Sequence, residues 1–79
     1  MKGENYMDKL QELEKWNEIY DFEFRFSRIE NDIIIYREMT MIHKKQGFDS
    51  IEEVISYTLG WCEKHYPKYF REVVQKIRK

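Results

Sequence analysis

Residues 21–41 read DFEFRFSRIENDIIIYREMTM, and how this stretch is parsed decides the fold. Its first part alternates, with Phe22, Phe24 and Phe26 separated by Glu23, Arg25 and Ser27. Successive side chains of a strand point to opposite faces, so period two gathers three phenyl rings on one face. Glu30, Asn31 and Asp32 follow. Asn and Asp suit a turn because they tolerate left-handed backbone and bond to their own main chain. A second β-type run then starts at Ile33, Ile34, Ile35 and Tyr36 and heads towards Met41. With Asn31 and Asp32 as a two-residue loop, the expected hairpin sets Phe26 opposite Arg37, Phe24 opposite Met39 and Arg25 opposite Glu38. A one-residue slip would instead pair Phe26 with Tyr36.

Working outward, the residues before Asp21 change period. Tyr6, Leu10, Leu13, Trp16 and Tyr20 fall on one side at 3.6 residues per turn and acids fill much of the other, which predicts an amphipathic helix with Asn5 as its N-cap. Beyond the hairpin, residues 39–45 either extend the second strand or bend into a third, and His43 to Gly47 read as a loop. Ser50 with Glu53 forms a capping box, opening a helix whose apolar side carries Ile51, Val54, Ile55, Leu59 and Cys62. Pro67 ends that helix and suits the first turn of another, striped by Phe70, Val73, Val74 and Ile77 and closed by Lys76, Arg78 and Lys79. The expectation is one small α+β domain over residues 1–79, in the order helix, antiparallel β-hairpin, helix, helix (αββαα).

With 79 residues, such a chain buries only about 60% of the surface its unfolded form exposes. Two Trp, six Tyr and five Phe enlarge a core drawn from few positions. The composition, 42% apolar and 37% charged, is that of a folded domain with a charged surface. A lone cysteine forms no internal disulfide, and no apolar run approaches the roughly 20 residues of a membrane span, so the expected location is cytoplasmic. Net charge is only -1, yet the distribution is uneven: residues 1–23 hold three Lys against seven acids, and residues 64–79 hold six Lys and Arg against one acid.

Cys62 and His65 share a helical face, as a nucleophile and base or two metal ligands would. No ligand-type spacing supplies the rest of a metal site, and cysteine is among the residues most often buried, so an inert core thiol is expected. The acid pairs Asp8 with Glu12 and Glu14 with Glu18 lie opposite the apolar stripe, where solvated charge is the norm. The chain has no P-loop, Gly-x-Ser-x-Gly elbow or His-Glu-x-x-His motif. No enzyme activity and no cofactor are expected.

Two binding readings remain. Lys68, Arg71, Lys76, Arg78 and Lys79 of the last helix, joined by Lys44 and Lys45, could lie along a phosphate backbone, although cations at a helix C-terminus also have a local electrostatic reason to be there. The stronger signal is the isoleucine run, apolar on both faces of a strand in a hairpin too small to stand alone. Either helices wrap it, or the second strand pairs with its own copy or with a foreign strand. The preferred expectation is therefore a non-enzymatic protein-interaction module, self-associating through the hairpin edge, with Ile34, Tyr36, Tyr57 and Tyr69 as anchors. The alternative is a nucleic-acid-binding accessory protein. In size and style the chain is similar to small proteins carried by bacteria, phages and other mobile elements, many of which dock on a larger protein.

Overall fold

The structure, a computed structural model, describes residues 6–27 and 29–78. The expected N-cap Asn5, Lys79 and the side chains of Tyr6 and Arg78 lie outside what is described. The chain runs α1 (Tyr6–Tyr20), β1 (Phe22–Ser27), β2 (Asp32–Arg37), β3 (Thr40–Lys45), α2 (Ile51–His65) and α3 (Pro67–Arg78). The α+β class and the order of helix, antiparallel sheet, helix, helix are as expected. Residues 40–45 take the third-strand alternative, and the hairpin becomes a meander of order β1-β2-β3.

The expected hairpin register is corrected. Phe26 faces Ile33, Phe24 faces Ile35, Phe22 faces Arg37 and Ser27 faces Asp32, so Asp32 is a strand residue and does not form a two-residue loop with Asn31. Both registers keep the same residues on the same face, because they differ by an even number of positions. Face patterning therefore cannot tell them apart, and the second turn decides. Arg37 pairs with Thr40 across Glu38 and Met39, whose φ values of 52° and 68° give the turn the doubly left-handed backbone of type I′. That turn removes Met39 from the strand, and the isoleucines move up opposite the phenylalanines.

The inward face so assembled is the floor of the core. Phe22, Ile33 and Ile35 are fully buried with Trp16 of α1, Val54 and Cys62 of α2 and Val73 of α3. A second cluster joins Leu13 of α1 to Ile55 and Leu59 of α2. The Trp16 ring meets Phe22 edge-on at 5.0 Å and is flanked by Tyr20, Tyr66 and Tyr69. Trp16, from the apolar stripe expected of the first helix, is thus the centre of the core.

Local chemistry sets the helix ends. Ser50 Oγ accepts from Glu53 N at 3.2 Å, which satisfies a donor that the first turn of α2 would otherwise leave open, and the Glu53 carboxylate accepts from Asp49 N, just before the cap, at 3.1 Å. Tyr66 closes α2 by donating its amide to Cys62 O and starts α3 by accepting from Phe70 N, with Pro67 in the first helical position. Between β3 and α2 the chain turns at Gly47, whose φ of 93° a side chain rarely adopts.

Candidate interaction surface

The three helices pack on one face of a three-stranded sheet, and the pleat decides what the other face carries. Ile34 stands opposite Arg25 on β1 and Lys44 on β3, and Tyr36 stands opposite Glu23 and Met41. Neither Ile34 nor Tyr36 belongs to a core cluster or packs against one. Met41 is 55% exposed and Ile42 is 36% exposed, beside a bulge that breaks the β2–β3 register at Ile35 and Tyr36. Met39 and Ile29, each 95% exposed, sit in the two turns at opposite ends of the sheet. The register therefore places Ile34, Tyr36 and Met41 on the face opposite the helices, with Ile42 in the bulge beside them.

This apolar strip is bordered by charge. Arg25 Nε lies 2.8 Å from Glu23 Oε2, and the Arg25 guanidinium sits over the Tyr36 ring at 4.6 Å. The Glu23 carboxylate, by hydrogen bonding first and charge second, holds the Arg25 pKa above its ordinary value. Along the other side of β1 an open groove of about 500 Å³ separates it from α1, lined by Leu10, Leu13, Phe24 and Phe26 with Glu14, Asn17, Glu18 and Glu23 at its rim.

Of the four expected anchors, Ile34 and Tyr36 share the open face. Tyr57 and Tyr69 do not join them. Tyr57 shares a 2.6 Å hydrogen bond with His43 Nε2, and the His43 ring stacks on Trp61 at 5.0 Å. Burial, with His65 and Lys45 adding like charge, lowers the His43 pKa. Tyr69 stacks on Tyr20 at 4.1 Å, and Tyr20 donates its hydroxyl to Glu72. Phe22, Tyr66 and Tyr69 surround the Arg37 guanidinium at 5.2–5.5 Å, and Arg37 Nη2 donates to Tyr69 at 3.4 Å. The second strand, expected to offer its edge to a copy, is the central strand with neighbours on both sides; the free edges belong to β1 and β3.

Met39, Met41 and Ile42 are the surface residues that sequence reasoning missed. Their signal was present as three apolar residues within four positions, followed by Lys44 and Lys45, but residues 39–45 have no clear alternation because of the bulge.

The other candidates disperse. Cys62 is fully buried, and burial, with Glu12 adding to it, pushes its thiol up to about 12, so the sulfur stays protonated. Its neighbour in sequence spacing, His65, is exposed and turns its ring onto Trp61 at 4.7 Å. Among the described residues no group of three or more His, Cys, Asp and Glu could hold a metal ion. Lys68, Arg71 and Lys76 are exposed on α3, whereas Lys44 projects from the open sheet face on the far side of the sheet. Lys76 shares a shallow groove with Glu14 and Glu18 of α1, which sets acids beside the basic helix. No described helix is long and apolar enough to cross a membrane. The chain matches no family model, and neither the curated proteins nor the solved structures contain a significant match to it.

Proposed function

We propose that this chain is a non-enzymatic protein-interaction module that docks through its sheet. The observation that carries the reading is the strip in which exposed Met41 and Ile42 adjoin half-buried Ile34 and Tyr36 on the side away from the helices, edged by the Glu23–Arg25 pair. Single exposed apolar residues are ordinary on a protein surface, but a contiguous group rimmed by charge marks a contact site. The reading is of a cytoplasmic protein of the bacterial or mobile-element type, supported by a sequence with a single cysteine and hence no internal disulfide.

The test compares the wild-type chain with a Met41→Lys, Ile42→Lys double substitution in affinity capture from a cell extract and in solution mass. Both substituted side chains are exposed, so the doubly substituted chain is expected to fold normally and to lose what the wild type retains. Equal capture by the two chains, together with equal mass, would refute the reading. The alternative is nucleic-acid binding by the exposed Lys68, Arg71 and Lys76 of α3. It requires affinity that falls steeply with salt, and charge neutralisation of these three should abolish it.

A further inference from the structure

We infer that the free edge of β1 pairs with the same edge of a second copy, about a two-fold axis through Phe24, joining two sheets into one of six strands. The inference rests on the interaction reading and deepens it by naming the partner and the edge.

Hydrogen-bond parity shows which main-chain groups are free. Glu38 N donates to Asp21 O at 3.3 Å, so Asp21 and Glu38 form a bonded pair of the β1–β2 ladder. Bonded and non-bonded pairs alternate along an antiparallel ladder, so the next bonded pairs are Glu23 with Tyr36 and Arg25 with Ile34. The amides and carbonyls of Phe22, Phe24 and Phe26 must then point away from β2. Asn17 Nδ2, which donates to Phe22 O at 2.7 Å, reaches that edge from outside as this parity requires. Among the described residues no side chain bonds the outward main-chain groups of Phe24 and Phe26, which form a template there.

Parity and charge together select one register. A ladder built from these outward groups must bond even-numbered residues to even-numbered residues, which places a two-fold axis on one of residues 22–26; an axis on Phe22 sets Glu23 opposite Asp21, and one on Phe26 pairs only Arg25, Phe26 and Ser27 within the strand. An axis on Glu23 sets Glu23 opposite itself, and an axis on Arg25 sets two guanidinium groups opposite one another; like charges so placed are destabilising. The axis on Phe24 instead sets Glu23 of each copy opposite Arg25 of the other. It also bonds Phe24 to Phe24 through both main-chain groups and lets Phe22 N donate to Phe26 O of the copy, the Phe22 carbonyl staying with Asn17. On the helix side it brings a second set of phenyl rings against the open groove lined by Leu10, Leu13, Phe24 and Phe26. The rim acids Glu14 and Glu18 supply the opposing force.

The other edge lacks this complementarity. β3 carries adjacent Lys44 and Lys45 and is bulged, and lysines and bulges are the devices that keep sheet edges apart.

The experiment measures mass by sedimentation from low micromolar to about 1 mM for the wild type, Arg25→Glu, Glu23→Arg and an equimolar mixture of the two variants. The Arg25 and Glu23 side chains are 59% and 51% exposed, so both variants should keep the wild-type circular dichroism. The expected result is a wild-type dimer and, because each variant turns two opposite-charge contacts into like-charge ones, homodimers about tenfold weaker or more. The mixture should restore association as a heterodimer. In the wild type, amide exchange at Phe24 and Phe26 should slow as concentration rises. A wild type that stays monomeric, or a dimer that both variants keep unweakened, would overturn the inference. Loss of captured protein on the Met41→Lys, Ile42→Lys substitution alongside a monomeric wild type would sink the β1 pairing and leave the interaction reading standing.

Discussion

At Met39 the backbone holds a φ of 68° while the side chain is 95% exposed, so the residue carries backbone strain with almost no packing to offset it. An L-residue in the left-handed region costs roughly 1–2 kcal/mol, which glycine avoids at an entropic cost of about 0.5–1 kcal/mol when the chain folds. Met39→Gly is therefore expected to stabilise the fold by about 0.5–1 kcal/mol. Adding Glu38→Asn, at a φ of 52°, completes the Asn-Gly pair that a type I′ turn prefers. The double variant should gain a further few tenths of a kcal/mol. For a domain of this size each 1 kcal/mol raises Tm by roughly 4–8 °C, well within reach of a thermal melt. Met39→Ala serves as the control, since it removes the same side chain but keeps the Cβ and the strain, and should give no gain. A double variant no more stable than the wild type, or an Ala variant that gains as much as Gly, would refute the turn geometry and with it the register of all three strands.

Further outcomes follow from burial and charge. Ile33→Val and Ile35→Val should each cost about 1 kcal/mol by urea denaturation and Ile34→Val only a few tenths, because the first two are fully buried under the helices and Ile34 faces out. Gly47→Ala should lose about 1 kcal/mol through backbone strain alone, since no atom lies within 4 Å of the added Cβ; the urea midpoint reads this directly. His43 has its pKa lowered below the ordinary 6.5 by burial and by the charges of His65 and Lys45, so the folded state binds its proton less readily than the unfolded state. Its contribution is present above the unfolded value and is lost as pH falls through the folded one. Urea midpoints between about pH 7.5 and 5.5 should therefore fall with pH, with a shallower slope in His43→Gln.

The helices were legible because each announces its own ends. The Ser50 and Glu53 box and Pro67 carry local chemistry that tertiary packing had no reason to override: Ser50 accepts from Glu53 N as the box predicts, Glu53 reaches one residue further back to Asp49 N, and Pro67 opens α3. The alternation of Phe22, Phe24 and Phe26 likewise gave the correct inward face. Register was not legible. Asn31 did take left-handed backbone, with a φ of 50°, but as the residue before β2 and not in a two-residue loop with Asp32, and the second turn sits on a Glu-Met pair that carries no turn signal. Without that turn β3 could not be separated from β2, and without β3 the isoleucine strand looked like an edge. The anchors divided for the same reason. Tyr57 and Tyr69 share helical spacing with core positions and stack on neighbours that only the folded chain brings near, His43 from the sheet and Tyr20 from the first helix.

Cys62 gives the chain a chemical clock. A thiolate, not a thiol, attacks a disulfide reagent, and this sulfur is both fully buried and held protonated by a pKa pushed up to about 12. Modification must wait until α2 parts from the helices and strands around it. Because the sequence holds no second cysteine, every modified molecule records one such opening. The rate of loss of free thiol, followed without any introduced label, times how often the core comes apart under native conditions, and any partner that holds the helices closed will slow that clock.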